Sequence, residues 1–252
     1  MRRPVEIEKI RKAGEIVAAA LDLAGQMIRP GLQTRELDSA MEALIRSRGA
    51  YPSFKGYYGY PASTCISVNE QVVHGIPGEY ALHEGDIVSV DVGAFLDGYH
   101  GDGARTFSVG GVSAEAQRLL QVTQECLDLA AEKVRPANRV GDISSAIQRH
   151  AERHGYGVVR QLVGHGIGRA LHEEPQVPNF GPPGQGPRLR AGMVLAIETM
   201  INQGTHEVCT LEDQWTVVTR DHKLSAHFEH TVAVTEEGPV VLTARSDGRG
   251  GR

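Results

Sequence analysis

The sequence predicts an α+β fold made of two related halves that share one curved antiparallel sheet, and two observations predict it. The first is a repeat: Leu21-Asp22-Leu23-Ala24 recurs as Leu127-Asp128-Leu129-Ala130, an offset of 106 residues. Arg29-Pro30 and Arg135-Pro136, Ser39-Ala40 and Ser145-Ala146, and Gly49 and Gly155 keep that register. A duplicated unit explains this better than chance. The second is order: helical periodicity precedes strand-like runs in each half, which favours α+β over a βαβ winding.

In the first half, Ile10, Ala13, Val17, Leu21, Ala24 and Ile28 fall on one helical face until Pro30-Gly31 stops the helix. A second helix begins near Thr34, turns Leu37, Met41, Leu44 and Ile45 inward, and ends at Gly49. The β-rich run Ile87 to Val92 follows. In the second half Ser113 caps a helix carrying Leu119, Val122, Cys126, Leu129 and Val134. Arg135-Pro136 interrupts it, and Ile143, Ile147 and Ala151 line the next helix. Strands are expected at Met193 to Ile197, Trp215 to Val218 and Thr231 to Val234. The chain then reads as one domain over 1–244, with repeats at about 7–110 and 113–243 and a basic, glycine-rich, disordered tail over 245–252. The crevice between the halves is the expected site.

Composition excludes several classes. The net charge is −5 and no long basic run occurs, which argues against a nucleic-acid partner. Cys65, Cys126 and Cys209 form no C-x-x-C pair, so a thiolate zinc site and a disulfide framework are not expected, and a reducing, cytoplasmic setting is. Neither a signal peptide nor an apolar run long enough for a membrane span is present. Gly164-His165-Gly166-Ile167-Gly168 looks like a nucleotide loop, but Arg169 stands where G-x-G-x-x-G needs glycine and no G-K-[ST] follows. There is no H-E-x-x-H and no G-x-S-x-G, and Cys65 reads as a small apolar lining residue rather than a nucleophile.

Acids point to the chemistry. Asp91 follows Gly85 by six residues and Glu198 follows Gly192 by six, each closing an apolar strand. Asp102 and Glu229 belong to the next strand of each half. If the halves are symmetric, these four converge. Two carboxylates ~4 Å apart repel by about 4 kcal/mol at an effective dielectric near 20, so four together call for cations. Two divalent ions balance the charge. Oxygen donors with an imidazole suit Mn, Fe or Co, with Zn also acceptable. His165, in its glycine-shaped segment, His172 and His74 are the candidate histidines.

With these residues in view, the chain resembles the type I methionine aminopeptidases, whose pita-bread fold is shared with prolidases and creatinase. The resemblance runs from Ile7 to about Thr243 and is carried by Asn69 to Pro77, Val90 to Asp102, Gly164 to Pro178, Gly192 to Met200 and Leu224 to Val232. It implies that Asp91, Asp102, His165, Glu198 and Glu229 ligate two divalent ions (Co, Mn, Fe or Zn), with Asp102 and Glu229 shared between them. It implies catalytic parts for His74, His172 and Glu198, substrate contacts by both histidines, and a methionine pocket of Tyr57, Tyr60, Cys65, Leu171 and Trp215. The implied activity is removal of the initiator methionine from nascent polypeptides, met at the ribosome, by a metal-activated hydroxide in a cytoplasmic monomer. A proline-specific peptidase of the same fold and a non-catalytic binding relative are the alternatives. Three positions depart from the family pattern: Gly93 for a common threonine, Leu171 for an aromatic, and Thr199 for a proline.

Overall fold

The computed structural model describes residues 1–244, so the expected disordered tail lies outside the described residues. Two helices open each half: α1 (Pro4–Met27) and α2 (Thr34–Ser47) in the first, α3 (Ala114–Glu132) and α4 (Val140–Arg153) in the second. The strands of the first half are β1 (Tyr51–Pro52), β2 (Thr64–Val68), β3 (Gln71–Val73), β4 (Ile87–Leu96) and β5 (Tyr99–Ser108). Those of the second are β6 (Gly157–Val158), β7 (Val163–Gly166), β8 (Glu173–Pro178), β9 (Val194–Asn202), β10 (Val208–Thr210), β11 (Val217–Thr219), β12 (Ser225–Val234) and β13 (Pro239–Val241).

Helix starts follow local chemistry. Ser113 accepts a hydrogen bond from the Ala116 N–H, as expected of a cap. The other three helices are closed by acids of the first turn, with Glu6, Glu36 and Asp142 accepting from the N–H groups of Arg3, Gln33 and Arg139.

The main sheet runs β1-β4-β5-β12-β9-β7-β8, with β2 also on β4, β6 on β9 and β13 on β12. β10, β11 and β3 form a small second sheet. The pseudo-two-fold passes between β5 and β12, so that β1-β4-β5 on one side answers β6-β9-β12 on the other. Bounds repeat the offset read from the sequence: α2 and α4, and β1 and β6, are each 106 residues apart. Isolated bridges Gln33 to Ala81 and Arg139 to Arg188 are counterparts as well, at offsets of 106 and 107 residues. Gly85 (φ 94°) and Gly192 (φ 89°) turn the chain into β4 and β9 through the left-handed region, which explains why both are glycine.

Strand alternation sorts the two faces. Val88, Val90 and Val92 pack with Val17, Leu21, Leu37 and Met41 of α1 and α2. Leu195, Ile197, Phe228 and Val232 pack with Leu119, Val122, Ile143 and Ile147 of α3 and α4. Each such side chain contributes roughly 1.5–3 kcal/mol by leaving water. Asp91, Glu198 and Glu229, at the alternate positions, face away from the helices. α1 lies so close to β5 that a Cβ at Gly101 would stand 2.6 Å from the Gly14 nitrogen. Among the described residues, no helix is long and apolar enough to cross a membrane.

Two expectations need correction. Asp91 and Glu198 do not close their strands: β4 continues to Leu96 and β9 to Asn202, because Gly93 to Leu96 still pair with β5 and Thr199 to Asn202 with β12. Trp215 precedes strand β11 rather than starting it, since the Asp213 carboxylate captures the N–H groups of Trp215 and Thr216 and holds a turn there. None of the glycines of 164–168 has a positive φ. Their purpose is close approach: a Cβ at Gly164 would lie 2.4 Å from the Ala196 oxygen, and one at Gly166 2.3 Å from the Glu174 oxygen.

Candidate active site

Five neighbouring strands, β4-β5-β12-β9-β7, each deliver one candidate ligand to the helix-free face: Asp91, Asp102, Glu229, Glu198 and His165 in that order. Glu198 and Glu229 are direct cross-strand partners, and Asp91 and Glu229 flank Ala104 from opposite sides. Like charges placed directly opposite destabilise a sheet, so this register works against folding unless something else uses the acids. His165 Nε2 lies 3.4 Å from Glu198 Oε1 and 3.9 Å from Asp102 Oδ2. Donor atoms of Asp102, His165 and Glu229 all fall within 4.8 Å of one another.

The electrostatics agree. Burial pushes Asp91 up to about 7. Asp102, Glu198 and Glu229 rise well above the usual carboxylate range, through burial first and then the neighbouring acids. Burial and His172 lower His165 to about 4, which keeps the imidazole neutral and able to donate a lone pair. Asp91 Oδ1 and Glu229 Oε1 are buried without a hydrogen-bond partner. Orphaned buried oxygens beside a neutral imidazole fit a divalent cation, which would offset the repulsion and satisfy both atoms.

A cavity of about 370 Å³ opens onto this cluster. It is lined by all twelve residues singled out in the sequence: the five ligand candidates, His74, His172, Tyr57, Tyr60, Cys65, Leu171 and Trp215. His74 follows β3 with φ 59°, a left-handed conformation that is strained for a histidine and aims it into the cavity. Burial lowers the pKa of His74 and of His172, so both rings are neutral at pH 7. The Tyr57 hydroxyl lies 2.7 Å from His172 Nδ1, within hydrogen-bond reach, and its own pKa is raised by burial, so it stays protonated. A bond donated by that hydroxyl would leave His172 with its proton on Nε2. At the apolar end the rings of Tyr60 and Trp215 meet edge to face at 5.1 Å, and the Cys65 thiol is kept protonated by burial and then by Asp91.

Phe54, Tyr58, Val73, Gln161, Leu162 and Val163 complete the lining and were not anticipated. Neither was His227, fully buried on β12 with its Nε2 unpartnered 3.9 Å from Glu229. Period-two alternation from Glu229 would have marked it. The departures from the family pattern acquire reasons. A Cβ at Gly93 would collide with Ser53 Cβ (2.7 Å) and Phe54 Cε1 (2.9 Å), so the Phe54 ring fills that space. Thr199 donates to the Phe228 carbonyl at 2.9 Å. Leu171 is almost fully buried in the cavity wall.

Comparison with known proteins agrees with this geometry. The profile of metallopeptidase family M24 matches residues 8–236. A methionine aminopeptidase of Clostridium perfringens is 56% identical, with 94% of this chain and 96% of the relative covered. The crystal structure of a Thermotoga maritima methionine aminopeptidase superposes with a TM-score of 0.95 at 46% identity, covering 97% of this chain and 98% of that one. A prolidase from Pyrococcus furiosus reaches 0.80 at 26% identity, with 98% of this chain matched to 66% of the prolidase. The architecture is the pita-bread fold. The chain belongs to metallopeptidase family M24, on its methionine aminopeptidase branch.

Proposed function

We propose that the protein is a methionyl aminopeptidase that removes the initiator methionine from nascent polypeptides. One observation carries the reading: a single cavity joins a cluster of four carboxylates and an imidazole to an apolar end of Tyr60, Cys65 and Trp215. The acidic end attracts a free α-amine, and the apolar end suits an unbranched thioether. Two divalent ions, of Co, Mn, Fe or Zn, would be held by Asp91, Asp102, His165, Glu198 and Glu229. When bound they supply Lewis acidity, polarising the scissile carbonyl and making water a competent nucleophile near neutral pH.

The residues of the chain divide the remaining work. Glu198 accepts a proton from the attacking water and passes it to the leaving nitrogen as the C–N bond breaks. His172 donates from Nε2 to the carbonyl oxygen as charge develops there, and His74 faces the amide nitrogen. Tyr57, Tyr60, Cys65, Leu171 and Trp215 surround the methionine side chain. Tyr57→Phe frees the His172 tautomer and lowers kcat about tenfold, the worth of one such hydrogen bond, with metal content unchanged. Steady-state kinetics beside metal analysis checks this, and an unaltered kcat contradicts the tautomer argument.

The two rival readings are weaker. Identity falls to 26% at the prolidase, and the candidate ligand set is complete, which speaks against a non-catalytic relative. The reading carries with it one catalytic domain, a cytoplasmic monomer and encounter with substrates at the ribosome without direct nucleic-acid binding. Three free cysteines and a net charge of −5 support that setting. The test strips the protein of metal, restores ions one by one, and compares a Met-Gly-Met peptide with an X-Pro peptide. Only the first should be cleaved; preference for the second would overturn the assignment.

A further inference from the structure

We infer that Arg2, in the segment just ahead of α1, is a positioning residue for His172, an inference that rests on the part proposed for that histidine. The Arg2 guanidinium pairs with both carboxylate oxygens of Glu173, the residue that follows His172, and is largely buried in doing so. Glu173 Oε1 also accepts from the N–H groups of Arg169 (2.9 Å) and Ala170 (3.1 Å). That carboxylate folds the 168–173 loop back on itself, and the loop carries Leu171 and His172 into the cavity wall. The Arg2 N–H donates to the Gly192 carbonyl at 2.6 Å, at the entrance to β9. A single guanidinium nitrogen, Nη2, meets both oxygens, and such a charge-assisted contact is stronger than a neutral one.

Two glycines make room for it. A Cβ at Gly168 would stand 2.3 Å from Arg2 Nη2, and one at Gly192 would stand 2.7 Å from the Arg2 oxygen. Arg2 is thus threaded between the loop of His172 and the strand of Glu198. The first turn of α1 adds a second hold on the loop, because Glu6 accepts from Arg169 Nη2 (3.1 Å) and from the Tyr99 hydroxyl (2.8 Å). A displacement of the order of 1 Å at a reacting group lowers rates by up to ~100-fold, so loss of this brace is felt at His172 first.

A double-mutant cycle tests the inference: Arg2→Leu, His172→Ala and the pair, each in the full chain with manganese restored, on the Met-Gly-Met peptide. Arg2→Leu should lower kcat about tenfold while KM stays within about twofold and manganese stoichiometry holds. In the His172→Ala background the same substitution should lower kcat less than about twofold. Arg2→Lys, which keeps the charge on a shorter-reaching single nitrogen, should recover part of the loss and serves if Arg2→Leu does not fold. Equal losses in both backgrounds, or an unchanged kcat, overturn the proposal. Absence of turnover by the unsubstituted protein would refute the peptidase reading alone. The His172 imidazole NMR resonances then decide the placement: they shift on Arg2→Leu, and their staying in place overturns it.

Discussion

Asp102→Asn should abolish tight divalent-ion binding and peptide turnover, and should raise the melting temperature of the metal-free protein. The two effects have opposite signs because the acid is unfavourable to the fold on its own. Asp102 is buried beside Asp91 and Glu198, and both burial and those neighbours disfavour its charge. An amide of the same shape removes that repulsion, and it can keep the contact in which Asp102 Oδ1 accepts from the Gly103 N–H. As a ligand, however, the amide lacks the charge that balances a cation. An acid retained for structure would behave otherwise, since its loss would lower stability with and without metal. His165→Ala separates the cases further: it removes a ligand without relieving any repulsion, so it should lower both activity and metal-free stability. Calorimetric titration with manganese and paired thermal melts check these outcomes. Full turnover by Asp102→Asn, or unchanged manganese affinity, would remove that residue from the site.

The sequence made the helices legible because their apolar residues recur every three or four positions and clear punctuation ends them, as at Pro30-Gly31 and Ser113. The pseudo-symmetry was legible from a handful of matches because a duplicated backbone keeps turn residues in register even where side chains have diverged, as at Gly49 and Gly155. Strands β5 and β7 were harder. Each carries a candidate ligand, but Gly101 and Gly103 give way to α1, and Gly164 and Gly166 give way to neighbouring backbone. Glycine admits close contact and erases the apolar alternation by which strands are read. Of the site, Asp91 and Glu198 could be read from an incongruity, charge within apolar runs, whereas Tyr57, Tyr60, Leu171 and Trp215 came from resemblance, because aromatic and aliphatic residues carry no such mark. The Arg2 brace joins positions 2 and 173, and no local pattern reports a contact across that separation.

Between pH 6.5 and 8 the metal-free protein should lose stability as pH rises, and the loaded protein should not. The carboxyls have folded pKa values raised above their unfolded ones, so their contribution is complete at low pH and is lost as pH climbs through the folded value, which for Asp91 is about 7. The buried histidines act in the other direction. His165, held near 4 and neutral, favours the fold above its ordinary value of 6.5 and loses that contribution on acidification. Below pH 6.5 the two trends oppose each other; above it the histidine contribution levels off and the carboxyls dominate. Stability of the metal-free protein should therefore peak near pH 6 and fall toward pH 8. Asp91 alone accounts for about 1 kcal/mol of that fall at ~1.4 kcal/mol per pH unit of full proton difference. That is roughly 2–4 °C in a domain of this size, and Asp102, Glu198 and Glu229 add to it with the same sign. Bound cations keep the carboxylates ionised at every pH in this window, which flattens the profile and makes ion binding release protons. Thermal melts of stripped and loaded protein across the window decide the matter, since parallel profiles would mean that the acids and the ions do not share a site.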